Sequence, residues 1–226
     1  MQSWRVICYT IIMAAKASQK IAETLSRWRL HHHVYLSVLA IFIGILGGYG
    51  ALLFRYAIKV AQYCFYQNTN DILTFAHTLP VYLVIGLPAV GGLVVGPIIY
   101  FGAREAKGHG VPEVMEAVAL KGGRIRPRVA LVKILASGIS IGSGGSVGRE
   151  GPIVQIGSSI GSSLAQILKA PHLRQRTLVG CGAAAGIAAT FNAPIAGALF
   201  AVEVLLGDFG LATFSPVVLS LSLIHI

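Results

Sequence analysis

The chain has 226 residues, 55% of them hydrophobic and 12% charged, with a mean hydropathy of +0.74. Soluble domains carry roughly 25% charged residues, so the composition argues against a soluble protein and predicts an all-α integral membrane protein that contacts a lipid bilayer. The formal net charge of +10 would fit a nucleic-acid partner if the cations shared one surface, but they flank apolar segments, which argues for no nucleic acid.

The cysteines Cys8, Cys64 and Cys181 have no pair spacing, so neither a disulfide framework nor a metal site is expected. No cofactor is expected either. The 27 glycines follow no period, which fits close helix packing and helix breaks rather than a collagen repeat.

In chain order, residues 1–33 carry Arg5, Lys16, Lys20, Arg27 and Arg29. They predict a cytoplasmic amphipathic helix around 4–29, with Trp28 as an interface anchor. The apolar run 6–15 is short and lacks a cleavage site, so it does not read as a signal peptide. Consecutive histidines cannot all face one ion, so His31–His33 reads as a solvated linker.

Residues 34–66 form the first span, with Arg55 and Lys59 free to snorkel from its outer part. The loop 67–79 has no Lys or Arg, only Asp71. Cations cluster instead at Arg104–Arg128 and Lys169–Arg176. That asymmetry places the N-terminus in the cytoplasm.

A second span covers 81–101, kinked at Pro88 and Pro97. A glycine break at 108–112 leads into a half-helix, 113–120. The basic loop 121–128 follows, then a helix over 130–141. A second break, 142–148, precedes a helix over 152–168, with Pro152 in its first turn. Short spans over 177–190 and 193–206 meet at Phe191–Asn192. A last span begins near Ala212. The pairs Gly138/Gly142 and Gly157/Gly161, and the Gly/Ala run 182–189, read as helix-packing surfaces.

The breaks carry the chemistry. Gly108-His-Gly-Val-Pro-Glu113 and Gly148-Arg-Glu-Gly-Pro152 each pair a glycine-rich turn with a helix start. A helix start offers unpaired N–H groups and partial positive charge. Two of them at membrane depth make a site for a dehydrated anion. Glu150 places a carboxylate where that anion would sit, and an ionisable group at membrane depth reads as functional.

Competing readings are weaker. Gly142-Ser-Gly-Gly-Ser-Val-Gly148 could be a phosphate loop, but no Lys-Ser/Thr follows and no strand precedes it. Arg149 and Glu150 are sequence neighbours and do not face each other on a helix. His109 either lines the ion path, titrates there, or acts as a spacer. Glu203 is a proton carrier, a partner for Lys133, or a helix-end acid; Lys133 itself reads as structural. No nucleophile–base pair supports an enzyme.

These two segments, with Gly182-Ala-Ala-Ala-Gly-Ile-Ala-Ala-Thr-Phe-Asn-Ala-Pro194, closely resemble the CLC chloride channel and transporter family in motif, order and spacing. The resemblance covers about residues 34–220. It implies an inverted-repeat membrane fold with broken and half-membrane helices, a homodimer, and one anion path per subunit in a cell's plasma membrane. It implies chloride as the transported ion. Anion-binding positions would be Gly108, His109, Gly110, Val111, Pro112, Gly148, Arg149, Gly151 and Pro152. Glu150 would be the gating glutamate.

The chain departs from the family pattern at three points. His109 stands where many members have a serine whose hydroxyl binds the central anion. Glu203 matches the acid before the inner proton-transfer glutamate of coupled members, and Val204 occupies that position itself. That favours a passive channel over a chloride/proton antiporter. The family's fluoride-exporting branch usually alters both motifs, so Gly148–Pro152 favours chloride.

Finally, the second repeat is not in this sequence. Residues 34–220 are therefore expected to be the first repeat only, and 221–226 a non-native tail from an incomplete gene reading. By itself such a half is expected to be poorly stable and inactive.

Overall fold

The computed structural model describes the backbone of residues 2–67 and 79–222, with side chains described from residue 34 onward. The predicted Asp71 loop and the final residues 223–226 lie outside the described residues. Among those described the structure is helical, with no strand.

Helix α1 is Gln2–Tyr66, and it passes through His31–His33, where the sequence predicts a linker. Then come α2 (Val81–Gly102), a single 3₁₀ turn (Arg104–Ala106), α3 (Val111–Leu120) and α4 (Arg128–Gly142). They are followed by α5 (Glu150–Ile167), α6 (His172–Phe191), α7 (Pro194–Phe200) and α8 (Leu211–Ser222). The chain divides into two compact units, Met1–Val38 and Leu39–Ile226. The first is purely helical.

The predicted elements fall within a few residues of the observed ones. Besides the absent linker at His31–His33, the exception is the segment predicted as one helix over 193–206. It changes to π-helical winding over Ala201–Leu206 and stops at Gly207, whose φ is 61°. The junction at Asn192 is a left-handed residue with φ 53°. Asparagine tolerates that conformation better than most residues.

The core lies where α5 crosses α6. Ile153, Ile156, Leu178 and Val179 are fully buried there. The crossing is made backbone to backbone: a Cβ on Gly157 would strike the Gly182 carbonyl, and one on Gly182 would strike the Gly157 carbonyl. The small residues thus let two helices touch without intervening side chains. The same device recurs elsewhere, with Gly138 against Ala57 and Gly142 against Ala61 seating α4 on α1.

Among the described residues two helical stretches are long and apolar enough to cross a membrane, Val34–Tyr66 and Val81–Gly102. The second buries Gly91 alone among its residues, and leaves Leu93, Val94 and Phe101 exposed.

Candidate anion site at two helix starts

The first break is built to stay in place. Gly108 and Gly110 adopt φ of 103° and 101°, which only glycine reaches without strain. Lys133, 3% exposed on α4, donates through Nζ to the Ala106 carbonyl at 3.0 Å and the Gly108 carbonyl at 2.8 Å. A buried ammonium is costly unless its donors are met, and two carbonyls meet two of its three donors here. Lys133 is therefore structural, as its sequence context predicts. It does not pair with Glu203, which is exposed on the π-helical turn; the structure removes that reading of Glu203.

Glu113 closes the same turn. Its Oε2 accepts the Gly110 N–H at 2.7 Å, three residues back, so the helix start receives a carboxylate of its own. Pro112 has no N–H, and Val114 N–H bonds the Gly110 carbonyl. The amides left to a guest at this end are those of Val111 and Glu113. Gly110 thus enters the site through its backbone shape, its own donor being engaged.

The second break is held differently. Ser143 and Gly145 N–H groups bond back to Ile139 and Ser140 carbonyls at 2.8 and 2.9 Å. Tyr66 Oη donates to the Ser143 carbonyl at 2.9 Å, tying the end of α1 to the break. Helix α5 then begins at Glu150 with no side-chain cap. Ile153 N–H takes the Arg149 carbonyl and Pro152 has no donor, so the Glu150 and Gly151 amides are the free ones. The Glu150 carboxylate folds back over Gly148, where a Cβ would collide with it. Among the described residues Arg149 forms no ion pair with Glu150, consistent with their adjacency.

The two starts meet. A Cβ on Gly151 would collide with the His109 carbonyl oxygen, and one on Gly110 would lie 2.5 Å from the Gly151 oxygen and 3.2 Å from Gln155 Cβ. Gly110 and Gly151, 41 positions apart in sequence, are thus in backbone contact because neither carries a side chain. Gly110 is buried, whereas Gly108, His109, Gly148, Arg149 and Glu150 are exposed, so the site is open on one face of this chain. Pro112 is exposed, Val111 and Gly151 are half-buried and Pro152 is buried.

Sequence reasoning missed two parts of this arrangement. The Glu113 cap was legible in principle, since a glutamate three residues after a helix-start glycine has capping-box spacing. The Lys133 clamp had no local signal, because its partners lie 25 and 27 residues away.

Comparison with known proteins agrees with the helical fold. Residues 91–223 match the family profile "Voltage gated chloride channel". A ClcB-like protein of Ralstonia nicotianae is 35% identical over 184 residues, covering 79% of this chain and 42% of its own. The voltage-gated ClC-type chloride channel ClcB of Citrobacter koseri is 34% identical over 186 residues, covering 81% and 44%. The chain therefore spans under half the length of these relatives. Among solved structures, a CLC-type fluoride/proton antiporter superposes with a TM-score of 0.67 at 27% identity, over 83% of this chain and 44% of that one. A slow cyanobacterial Cl⁻/H⁺ antiporter does so with 0.58 at 26% identity, over 85% and 46%. The profile match covers more than half of the sequence, and the chain belongs to the voltage-gated chloride channel (CLC) family.

Proposed function

We propose that this chain supplies one side of a chloride pathway across a membrane, gated by Glu150. The observation that carries the reading is the contact of two helix starts at Gly110 and Gly151, with free amides on both and an exposed carboxylate on one. Family membership and the names of the ClcB relatives support it.

The chemistry follows from the geometry. Chloride leaving water needs its charge balanced, but a full positive charge in contact would hold it too tightly for passage. Backbone N–H groups and helix dipoles supply partial charge from both walls. The Glu150 carboxylate competes for that same field as a tethered anion. Protonation removes its charge and its claim on the site, so conduction rises as external pH falls.

Within this proposal the protein is a multi-pass plasma-membrane protein of inverted-repeat fold. Its N-terminus is cytoplasmic, residues 34–220 form the first repeat, and two copies pair as a homodimer. The open face of the site is where the remaining length of the relatives would close it. A passive channel is the first reading, because Val204 replaces the inner acid of coupled members and Glu203 is the acid beside it. Chloride/proton antiport is the second, favoured by two structural neighbours that are antiporters.

The test is chloride efflux from liposomes carrying the protein, with external pH recorded at the same time. Protons driven uphill by the chloride gradient establish an exchanger; flux without driven protons establishes a channel. Glu150→Gln is expected to raise flux and flatten its pH dependence. Unchanged gating in that variant would reject the role of Glu150.

A further inference from the structure

A second polar site lies at the end of α2, away from the two helix starts. A cavity of about 470 Å³ is walled there by Tyr100, Phe101, Arg104, Glu105, Arg126 and Arg128. Three guanidinium groups face one carboxylate. Arg126 Nη1 meets Glu105 Oε1 at 3.2 Å, and the Arg104 guanidinium sits 5.0 Å from the Tyr100 ring centroid. Neither contact occupies Arg128.

Arg128 is also at the wrong end of its helix. It opens α4, whose first turn has no acid, so a fixed cation faces the positive end of the helix dipole. That arrangement destabilises the helix start unless an anion lies between them. A larger neighbouring cavity of about 710 Å³ shares Arg104, Glu105 and Arg126; it adds Lys107, Lys121 and Arg124 beside Glu113 and Glu116, so cations outnumber acids there too.

The loop bearing these cations is fixed from beneath. Buried Ser162 accepts the Ile125 N–H at 2.8 Å and donates to the Gly123 carbonyl at 2.7 Å. Gln166 Nε2 donates to the Ile125 carbonyl at 2.7 Å. The backbone from which Arg126 and Arg128 project is thus held in place.

We infer that this cavity binds a phosphate group presented by an anionic phospholipid headgroup. Guanidinium groups match phosphate oxygens bidentately. Basic pockets at the ends of membrane spans take such headgroups. The lipid source follows from what adjoins the cavity: Phe101 is 82% exposed, Tyr100 61%, and the exposed apolar side chains of α2 continue from them as a surface for acyl chains. Aromatic rings at that position suit the boundary between headgroups and hydrocarbon. The inference rests on the membrane embedding proposed above and is independent of chloride transport.

The experiment reconstitutes the 226-residue chain in bilayers of equimolar phosphatidylcholine and phosphatidylglycerol, extracts it gently and measures retained lipid. Phosphatidylglycerol is expected to be retained about tenfold over phosphatidylcholine, as a few arginines at a surface imply. The triple variant Arg104→Gln/Arg126→Gln/Arg128→Gln should lose that preference. A triple variant of equal charge change, Lys59→Gln/Lys169→Gln/Arg174→Gln, should keep it. In the unaltered chain, where folding is not in question, added salt should erode the preference and soluble glycerol 3-phosphate should not displace the lipid. Equal retention of both lipids, equal loss in the two variants, or displacement by glycerol 3-phosphate overturns the assignment. A chain that does not enter the bilayer overturns the membrane reading with it, whereas one that inserts without preference sinks this inference alone.

Discussion

The helix starts of α3 and α5 touch each other yet are finished in opposite ways. At α3 the turn is clamped by Lys133 through two carbonyls, and Glu113 fills the helix start with its own carboxylate. At α5 no side chain caps the helix, and Glu150 lies folded over Gly148. One wall is finished in place; the other carries a carboxylate with room to leave. A third start, at α8, shows the ordinary exposed solution. There Asp208 accepts the Gly210 N–H at 2.9 Å and the Thr213 hydroxyl at 2.8 Å. Two helix starts are thus supplied with an anion from their own chain, and the one at α5 stands uncapped.

The comparison breaks most severely if the two starts are forced apart. Gly151→Ala places a methyl on the His109 carbonyl, and overpacking of that kind costs about 1–3 kcal/mol. Because the collision lies between the walls themselves, chloride flux is expected to vanish while helical content by circular dichroism remains. Flux retained in this variant would show that the contact does not form the path.

Unlocking the fixed wall is expected to cost stability rather than flux. Lys133→Met keeps the side-chain length and leaves the Ala106 and Gly108 carbonyls without their donor. The loss is expected to be about 2–4 kcal/mol, from charge-assisted bonds in a buried setting. It should appear as a lower thermal midpoint in detergent. A variant as stable as the parent would mean that the first break holds its shape without the clamp.

The smallest effect belongs to α8, and it has a pH signature. The Gly210 N–H, and after it the Thr213 hydroxyl, hold the Asp208 carboxyl below the usual carboxylate range. A carboxyl depressed on folding adds stability above its unfolded pKa and loses that contribution as pH falls through its folded value. Asp208→Asn should therefore remove a slight acid-side dependence of the thermal midpoint and leave neutral-pH flux unchanged. A changed flux would contradict the assignment of Asp208 as a cap and nothing more.

How much of this was legible beforehand depends on the range of the cause. Helix placement rests on local signals. Pro112 and Pro152 mark helix starts, the glycines at 108–110 and 142–148 mark breaks, and Asn192 marks a left-handed stop. All of these lie beside the feature that they produce. The meeting of Gly110 with Gly151 was legible as two separate anion-seeking starts, but not as a contact. Its cause is the way α5 packs against α3 and α6, which no local window contains. The same limit hid Lys133, whose buried ammonium is explained by carbonyls more than twenty residues away. The π-helical winding at Ala201–Leu206 has no marker before Gly207, since Ala-Val-Glu-Val-Leu-Leu is an unexceptional helical run.

The glycine crossing of α5 and α6 has a consequence for time. At Gly157 and Gly182 the two backbones lie against each other with no side chain between them that could repack. Close-packed interiors deform little, so α5 behaves as an axle fixed in its bearing. A carboxylate at the exposed tip of such an axle changes place by rotating about its own side-chain bonds. Exposed rotamers do this in picoseconds to nanoseconds, whereas collective helix movements take microseconds to milliseconds. On the gating proposed above, the bearing would separate a fast event at Glu150 from any slow rearrangement of the helices behind it.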